Sequence, residues 1–301
     1  MSKNRFELIK KIGQGSFGIV YKAKDTTTNQ FVAVKIESEG SDRLHLENKL
    51  YIDLNNYKNE FIPKLIWFGK KNNHNLVVME FLGPSLSKLH NYCGNKFSTI
   101  TVCLIAIECI RIMEFIHNHG IIHRDIKPDN FTVGYGNKNK QVYIIDFGLS
   151  KRYINTETYS HIGYSNDKGF TGSYRYSSMR NHKGVELSRR DDMESVCNML
   201  IYFLKSRLPW QGVSASTKSK KNYEIYKKKR DLPISHLCKD IPVEFAKFMK
   251  YSRELKFSEK PDYQYLVNLM EHCLEREKYD GNKIFDWNIK LDRQSKEKMD
   301  N

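Results

Sequence analysis

Residues 122–130 place an acid, a base and an amide in one short segment. The segment reads Ile-His-Arg-Asp-Ile-Lys-Pro-Asp-Asn, and its proline keeps it from continuing as a helix. Asp125 could accept a hydroxyl proton, Lys127 could stabilise a moving phosphoryl group, and Asn130 could offer an oxygen to Mg²⁺. Residues of these types also form ordinary polar turns at protein surfaces. The segment favours phosphoryl transfer, and the other motifs must decide.

A second acid, Asp146, stands at the end of an apolar run over residues 142–145 and is followed by Phe-Gly. A carboxylate at the end of a buried strand can reach a metal ion that bridges nucleotide phosphates. We therefore predict that Asp146 and Asn130 are ligands of a nucleotide-bound Mg²⁺.

Three glycines, Gly13, Gly15 and Gly18, lie between two segments with the composition of β-strands. The GxGxxG pattern alone is weak, because dinucleotide-binding folds use it as well. In those folds a helix follows the third glycine, whereas residues 19–23 here, Ile-Val-Tyr-Lys-Ala, predict a strand. The pattern therefore favours a glycine hairpin whose backbone amides cover phosphates.

Lys35 lies in an apolar strand pattern over residues 31–36, where an ammonium is costly to bury unless it finds a partner. Glu47, in a segment with leucines at helical spacing, is the predicted partner, and Lys35 would hold the α- and β-phosphates of a nucleotide. The alternatives are an edge-strand lysine that reaches water and a solvated helix carboxylate. The order of the two residues along the chain favours the pair.

In chain order, the glycine hairpin, the strand lysine with its carboxylate, and the two acids resemble the motif set of the protein kinases. This resemblance implies an α+β, bilobal fold. Residues 1–81 would form a small antiparallel β-sheet lobe with one helix, residues 82–290 a larger, mainly α-helical lobe, and residues 291–301 a short polar tail. It also implies ATP and Mg²⁺ as cofactors. The residues predicted to be catalytic are Asp125, Lys127, Asn130, Lys35 and Glu47.

The same resemblance identifies a hinge after the strand pattern of residues 76–80, where Gly-Pro breaks the chain. Glu80 to Leu82 would offer backbone groups to an adenine ring, and Met79 would close the back of the pocket. Without the resemblance these residues describe a plain strand-to-helix turn. The residues predicted to bind ATP are Ile12, Gly13, Gln14, Gly15, Ser16, Phe17, Gly18, Val20, Ala33, Lys35, Met79, Glu80, Leu82 and Asp146.

The segments after Asp146 resemble one kinase family in particular. Residues 171–179 read Thr-Gly-Ser-Tyr-Arg-Tyr-Ser-Ser-Met and residues 188–195 read Ser-Arg-Arg-Asp-Asp-Met-Glu-Ser. Members of the casein kinase 1 family have TGTARYASIN and SRRDDLES at these places, and like this chain they lack the Ala-Pro-Glu tripeptide of most kinases. The resemblance covers nearly the whole chain.

The casein kinase 1 resemblance implies a monomeric Ser/Thr kinase that prefers acidic or phosphorylated protein substrates. The chain's 50 Lys and Arg against 35 Asp and Glu, a formal charge of +15, agree with acidic partners. Matching positions give one anion site at Arg175 and Lys221, and a second at Arg124, Lys151 and Lys168. For each lysine the alternative is a solvated surface charge. The family also implies activity without phosphorylation of the activation segment.

Three departures from the family pattern bear on substrate preference and not on the transfer chemistry. Ser173 stands where the family has Thr, and its hydroxyl could still hold Asp125 and Lys127 in place. Tyr174 replaces a small Ala beside the first anion site, where a bulky ring would narrow or reorient substrate binding. Met179-Arg180 replaces Ile-Asn, and Arg180 would add a positive charge.

The composition limits the location of the protein. Hydrophobic and charged fractions of 40% and 28% are typical of soluble globular proteins. No apolar run approaches the ~18 residues of a membrane span, and the N-terminus lacks a signal-peptide core. The six cysteines form no CxxC pair, which indicates buried thiols in a reducing compartment. We expect a cytoplasmic protein without a membrane span, and nuclear entry is left open.

Residues 223–230, Tyr-Glu-Ile-Tyr-Lys-Lys-Lys-Arg, are open to three interpretations: a nuclear signal, a nucleic-acid patch, and the solvated end of a helix, where cations are favourable. The two tyrosines are weak signs of base stacking, and we expect no specific nucleic-acid partner. A catalytically inert kinase-fold scaffold is another alternative, although the lysine and both acids that such proteins usually lose are present. The vaccinia-related kinases would share the catalytic set but fewer casein kinase 1 motifs.

Overall fold

The computed structural model describes residues 5–15, 18–37, 43–71 and 74–299. These residues form two compact units. The first unit contains the chain up to Pro84 together with Phe131–Leu149, and the second contains Ser85–Asn130 and the chain from Ser150 onwards. Each unit is described separately.

The strands lie mostly in the first unit. In chain order the described strands are β1 Phe6–Gly15, β2 Gly18–Asp25, β3 Phe31–Glu37, β4 Leu65–Lys71, β5 His74–Glu80, β6 Ile121–Ile122, β7 Phe131–Val133, β8 Val142–Ile144 and β9 Lys151–Arg152.

The helices lie mostly in the second unit. In chain order the described helices are α1 Arg43–Asn55, α2 Leu86–Tyr92, α3 Thr99–Asn118, α4 Met179–His182, α5 Arg189–Lys205, α6 Lys218–Asp231, α7 Ile234–Leu237, α8 Val243–Glu254, α9 Tyr263–Arg276 and α10 Asp286–Met299. Short 3₁₀ turns cover Pro128–Asn130 and Gly136–Lys138.

The first unit is built on a five-stranded antiparallel sheet in the order β1-β2-β3-β5-β4. Its strands alternate apolar and polar side chains, so one face of the sheet buries a small core of Ala23, Val32, Val34 and Val78. Helix α1 packs against β4 and β5, and a second antiparallel pair, β7 with β8, belongs to the same unit. This arrangement places the lysine of β3 and the acid that follows β8 in one unit.

The second unit is built around α3, which packs against α5 and α9. The apolar residues of α3 are so numerous that they cover most of its surface, as expected for a central helix. The hydroxyl of Ser98 accepts a hydrogen bond from the Thr101 N–H at 3.2 Å and caps the start of α3. Gly120, with a φ of +75°, turns the chain after the helix towards residues 122–130, the catalytic-loop segment of the sequence analysis.

The predicted fold class is confirmed: a small antiparallel sheet with one helix forms the first unit, and a larger, mainly helical arrangement forms the second. None of the helices in the described part of the chain combines the length and the apolarity that crossing a membrane requires.

Candidate active site

The two strands predicted around the glycines form an antiparallel hairpin in the first unit. Gln14 pairs with Ile19, and Gly15 pairs with Gly18. Gly18 has a φ of +153°, a conformation that residues with a side chain rarely adopt, so glycine is needed there. Ser16 and Phe17, also predicted to bind ATP, lie outside the described residues. Phosphate binding by this hairpin stays a prediction.

The other predicted nucleotide-binding residues of the sheet flank this hairpin. Ile12 and Gly13 are half-buried near the end of β1, and Val20 on β2 pairs with Lys35 on β3. Ala33, also on β3, is buried. The sheet therefore aligns the glycine hairpin with the strand that carries Lys35.

Lys35 lies between two carboxylates of the first unit. Its Nζ is 2.6 Å from Glu47 Oε2 and 3.6 Å from Asp146 Oδ1. The side chain of Lys35 is 12% exposed and that of Glu47 is 2% exposed, so little water competes with this ion pair. The structure thus joins the strand lysine to the helix carboxylate that was predicted as its partner, and it adds the acid after β8 to this pair.

The charges of these three groups shift one another's pKa values. Burial acts to lower the pKa of Lys35, but the adjacent carboxylates of Glu47 and Asp146 outweigh it and raise that pKa above its ordinary value. Burial raises the pKa of Glu47, and Asp146 adds to this effect because a second negative charge shares the same cation. Lys35 is therefore a stable cation, and two carboxylates compete for it.

Tyr51, which sequence reasoning missed, holds the backbone of Asp146. The hydroxyl of Tyr51 accepts a hydrogen bond from the Asp146 N–H at 3.0 Å, and its ring packs edge-on against Phe147 with 5.0 Å between centroids. Asp146 has a φ of +68°, which is costly for a residue with a side chain. The one available signal was spacing, since Tyr51 follows Glu47 by four residues on the same helix.

The carboxylate of Asp146 fits a role as a ligand of Mg²⁺. Its Oδ1 is buried, and at 3.6 Å from Lys35 Nζ it has no hydrogen-bond partner. A buried carboxylate oxygen without a partner is unfavourable unless a cation or donor binds it. Among the described residues no group of three or more His, Cys, Asp or Glu could hold a metal ion, so a cation at Asp146 would need further ligands from a nucleotide and water.

The residues predicted to contact adenine lie at the end of β5. Met79 pairs with Ala33 on β3, and Leu82 is half-buried. The backbone N–H of Glu80 donates to Lys64 O at 2.9 Å, and its carboxylate is 2.6 Å from Lys138 Nζ. The N–H and the carboxylate of Glu80 are therefore engaged within the first unit, and adenine contacts by these residues stay predictions.

In the second unit, three side chains surround the carboxylate of Asp125. Lys127 Nζ donates to Oδ2 at 2.5 Å, Asn130 Nδ2 donates to Oδ2 at 3.3 Å and to the backbone carbonyl at 2.9 Å, and Ser173 Oγ donates to Oδ1 at 2.8 Å. Asp125 is 5% exposed. The three predicted catalytic residues of this segment are therefore in direct contact, and the hydroxyl of Ser173 holds Asp125.

Asp192 of α5 fixes the backbone of the catalytic-loop segment. Its carboxylate accepts hydrogen bonds from the His123 N–H at 2.7 Å and the Arg124 N–H at 2.8 Å. His117 Nε2 lies 3.0 Å from the same carboxylate. Burial acts to raise the pKa of Asp192, but its bonds to His117 and the backbone outweigh it and lower the pKa. Arg124 has a φ of +67°, and these bonds hold that strained turn.

Gly172 allows the chain around residues 171–173 to approach Asp125 closely. A Cβ at this position would lie 2.5 Å from Arg124 O and 3.1 Å from Asp125 Oδ1, closer than van der Waals contact permits. Its φ of +86° also favours glycine. The adjacent Ser173 is thereby placed within hydrogen-bond distance of the predicted base.

The two residues of the first predicted anion site are both exposed. Arg175 donates to the Tyr176 hydroxyl at 3.3 Å, and its guanidinium lies over the rings of Tyr176 and Tyr202 at 5.6 and 5.5 Å. Lys221 lies on the exposed face of α6. Neither forms an ion pair within the described part of the chain. Their charges are thus available to an acidic partner, although no contact joins them.

The second predicted anion site contains a carboxylate that sequence reasoning missed. Glu186 is buried, and its Oε2 lies 2.9 Å from Lys151 Nζ and 3.6 Å from Lys168 Nζ. Burial lowers the pKa of Arg124, while the charges of Asp192 and Glu186 oppose that effect. The three predicted cations therefore belong to one electrostatic cluster, but Glu186 already neutralises part of it.

The two bulky departures from the casein kinase 1 pattern have local partners. Tyr174 stacks on Phe170 with 4.2 Å between ring centroids. Arg180 lies 3.7 Å from the buried carboxylate of Glu194, which also binds Arg253 at 3.1 Å, and Arg180 donates to the Arg253 carbonyl. The charge of Arg180 is therefore largely matched inside the unit, instead of adding a free positive charge as predicted.

The basic run of residues 223–230 lies within α6, and one of its lysines contradicts the interpretation as a solvated helix end. Most of the run is exposed or half-buried, but Lys229 is 0% exposed and Ile225 is also buried. The sequence offered no signal that separates Lys229 from the two lysines before it. Its surroundings depend on elements that are distant in the chain.

A comparison with protein families identifies a match across both units. The family model for the protein kinase domain matches residues 6–280, from the first residue of β1 to beyond the end of α9.

Proposed function

From the premise that this chain belongs to the protein kinase domain family, we propose that it is a serine/threonine kinase that resembles casein kinase 1. It transfers the γ-phosphoryl group of ATP to Ser or Thr in acidic or phosphorylated protein substrates. The observation that carries the proposal is the buried carboxylate of Asp125, bound by Lys127, Asn130 and Ser173.

Asp125 is the proposed acceptor of the substrate hydroxyl proton. Each carboxylate oxygen can accept two hydrogen bonds, so the contact from Ser173 leaves Oδ1 with capacity for a substrate hydroxyl. Ser173 and Asn130 restrict the rotation of the carboxylate, which keeps it oriented before a substrate binds. Lys127 would exchange part of its contact with Asp125 for the transferring phosphoryl group and stabilise its charge.

Lys35 and Asp146 are the proposed phosphate and metal ligands of the first unit. Lys35 is held as a cation by Glu47 and would bind the α- and β-phosphates of ATP. Asp146 has a buried oxygen free for Mg²⁺, and Asn130, whose amide nitrogen is engaged with Asp125, would offer its amide oxygen. Mg²⁺, when bound, neutralises charge on the phosphates during transfer.

The proposed preference for acidic or phosphorylated substrates rests on exposed cations of the second unit, which also contains the proposed base, Asp125. Arg175 follows Ser173 by two residues, and Ser173 binds Asp125 directly. Because Arg175 has no carboxylate partner within the described residues, it can bind a substrate phosphate or carboxylate. Arg175 is thus the residue most directly linked to substrate choice.

A phosphotransfer assay with ATP and Mg²⁺ tests the proposal. We expect transfer to a phosphorylated peptide and to an acidic peptide to exceed transfer to a neutral peptide. Asp125→Asn should reduce kcat by about a thousandfold because the proton acceptor is lost while the side-chain size is kept. Wild-type protein that binds acidic peptides but transfers no phosphate would instead support an inert scaffold.

The substrate preference has its own test. Arg175→Ala should abolish the preference for the phosphorylated peptide, whereas Lys96→Ala, a change at an exposed cation of the same unit, should leave it intact. An unchanged preference in Arg175→Ala would remove this residue from the proposed recognition site.

A further inference from the structure

Lys229 is a fully buried lysine whose ammonium contacts the backbone of residues 174–177. Its Nζ donates to Tyr174 O at 2.9 Å and to Ser177 O at 2.7 Å, and it lies 3.0 Å from His182 Nε2. It also lies 4.9 Å from the ring centroid of Trp210. A buried ammonium with three acceptors is fully hydrogen-bonded, yet none of the carboxylates in the described part of the chain contacts it.

All four consecutive carbonyls of residues 174–177 accept a hydrogen bond from a buried side chain outside the segment. Lys229 binds the first and the last of them. Trp210 Nε1 donates to Arg175 O at 2.6 Å, and Asn198 Nδ2 donates to Tyr176 O at 3.0 Å. Asn198 Nδ2 also lies 3.4 Å from Ser177 O. The backbone that carries Arg175 is therefore held by three buried side chains, and Lys229 binds both ends of the segment.

The hydrogen bonds of His182 define which of its nitrogens accepts. Asn222 Nδ2 donates to the His182 carbonyl at 2.9 Å, so Asn222 Oδ1, 2.7 Å from His182 Nδ1, must accept from that nitrogen. Nδ1 then carries the proton and Nε2 accepts from Lys229. Burial and the charge of Lys229 lower the pKa of His182 to about 3, which agrees with a neutral ring.

The groups that face Lys229 from the neighbouring helices do not compensate for its burial. His182 of α4 is neutral, Glu194 of α5 favours the ammonium, and Arg253 of α8 opposes it. Burial is the largest effect, and it lowers the pKa of Lys229 to about 7. Lys229 therefore gains or loses its proton near neutral pH, unlike an ordinary lysine.

We propose that Lys229 is a positioning residue for the substrate peptide: its protonated amine holds residues 174–177 in the shape that binds the peptide, and loss of that proton weakens peptide binding. This inference rests on the proposed function, because it takes Ser173, Arg175 and their segment to contact the substrate. A neutral amine has two N–H donors, so one of its three acceptors at Tyr174, Ser177 and His182 loses its hydrogen bond. The segment would loosen without any change at Asp125.

The variant Lys229→Met tests this role, because it keeps the length of the side chain and removes all donors. We expect the dissociation constant of an acidic peptide, measured by fluorescence anisotropy at about pH 6, to rise about tenfold, while the KM for ATP changes less than about twofold. Lys228→Met removes an exposed charge from the same helix and should leave both values unchanged. Equal peptide affinity in wild type and Lys229→Met would overturn the proposal.

The pH dependence separates positioning from a purely structural role. The peptide carries Asp and Glu instead of phosphate, so its own charge is constant above about pH 6. Between about pH 6 and pH 8.5 the peptide dissociation constant of the wild type should rise about tenfold, and that of Lys229→Met should stay flat. Parallel pH profiles for the two proteins would refute the inference.

Two further outcomes have defined meanings. If Lys229→Met shows no cooperative thermal unfolding transition, the variant is not folded and the wild type alone provides the test. A peptide dissociation constant of the wild type that does not change between about pH 6 and pH 8.5 then overturns the proposal. If the wild type transfers no phosphate to any peptide, the proposed function fails, but the anisotropy measurement still tests whether Lys229 controls peptide affinity.

Discussion

Two lysines with little exposure to water, one in each unit, show how the partner of a cation determines its protonation. Lys35 lies between two carboxylates, Glu47 and Asp146, and its pKa is raised despite burial. Lys229 meets two carbonyls and a neutral His182, and its pKa falls to about 7. Dipoles satisfy the N–H groups of an ammonium without repaying the loss of hydration, whereas a formal negative charge does.

This difference matches the parts that we propose for the two lysines. A residue that holds phosphates must stay charged under all working conditions, and the paired carboxylates ensure that for Lys35. A residue that holds a backbone segment can lose its proton, with the result that substrate binding depends on pH. The following predictions test each side of this comparison.

Removal of the charge of Lys35 should have the largest effect. Lys35→Met is expected to reduce kcat/KM by about a thousandfold, because the phosphates lose a cation and two carboxylates are left without one. A steady-state phosphotransfer assay measures this, with Lys10→Met, a change at an exposed lysine of β1, as the control. Activity within a few-fold of wild type would contradict the assignment of Lys35 as a phosphate ligand.

The two lysines should differ in how they link stability to pH. The pKa of Lys229 is about 7 in the folded protein and has the ordinary lysine value in the unfolded chain. At a pH between these two values the unfolded chain binds more protons than the folded protein. The free energy of unfolding should therefore rise with pH over this range. From about pH 7 to pH 9 the free energy of unfolding of wild type relative to Lys229→Met should increase by about 2 kcal/mol.

Denaturant titrations at several pH values measure this increase. Lys35→Met supplies the comparison: the folded pKa of Lys35 is raised, so its contribution is present below the ordinary lysine pKa and is lost only above it. The difference in free energy of unfolding between wild type and Lys35→Met should therefore stay constant between about pH 7 and pH 9. The same slope for both lysine variants would indicate that their environments are electrostatically alike.

Loss of the Ser173 hydroxyl should have an intermediate effect. It should separate the role of Ser173 at Asp125 from that of the adjacent residues 174–177, which Lys229 holds. Ser173→Ala is expected to lower kcat about tenfold, because Asp125 loses a hydrogen bond, with little change in peptide affinity. Ser173→Thr should restore kcat, and Ser160→Ala, at an exposed serine of the loop before it, should have no effect. A change in peptide affinity alone would place Ser173 with Lys229 and not with Asp125.

The smallest effect is expected at Tyr51, which binds the backbone of Asp146, one of the two carboxylates beside Lys35. Tyr51→Phe keeps the ring against Phe147 but removes the acceptor of the Asp146 N–H, so kcat should fall about fivefold. Tyr135→Phe, at an exposed tyrosine of the same unit, is the control. An unchanged kcat would mean that Asp146 keeps its strained backbone conformation without Tyr51.

Residues close together in the sequence were readily predicted. The catalytic-loop segment brings Asp125, Lys127 and Asn130 within five positions, so one turn of backbone places them in contact. The need of Lys35 for a charged partner was also apparent from local sequence, because an ammonium in an apolar strand is costly to bury alone. The fold class was implied by the resemblance of the ordered motifs to those of the protein kinases.

Contacts between distant parts of the chain were not predictable in this way. Asp192 binds the backbone of His123, and Glu186 neutralises part of the second predicted anion site, but neither differs in the sequence from a solvated acid. Lys229 stands in a run of four basic residues, and its burial depends on how α6 lies against α4 and residues 174–177.

The amino-acid sequence by itself determined the kind of chemistry, since residue types at short, fixed spacings define which groups a turn or a strand end presents. Only the tertiary structure decided the state of each charge. The pKa of a side chain depends on burial and on partners contributed by elements far away in the chain, and no spacing records which carboxylate, carbonyl or ring will meet it.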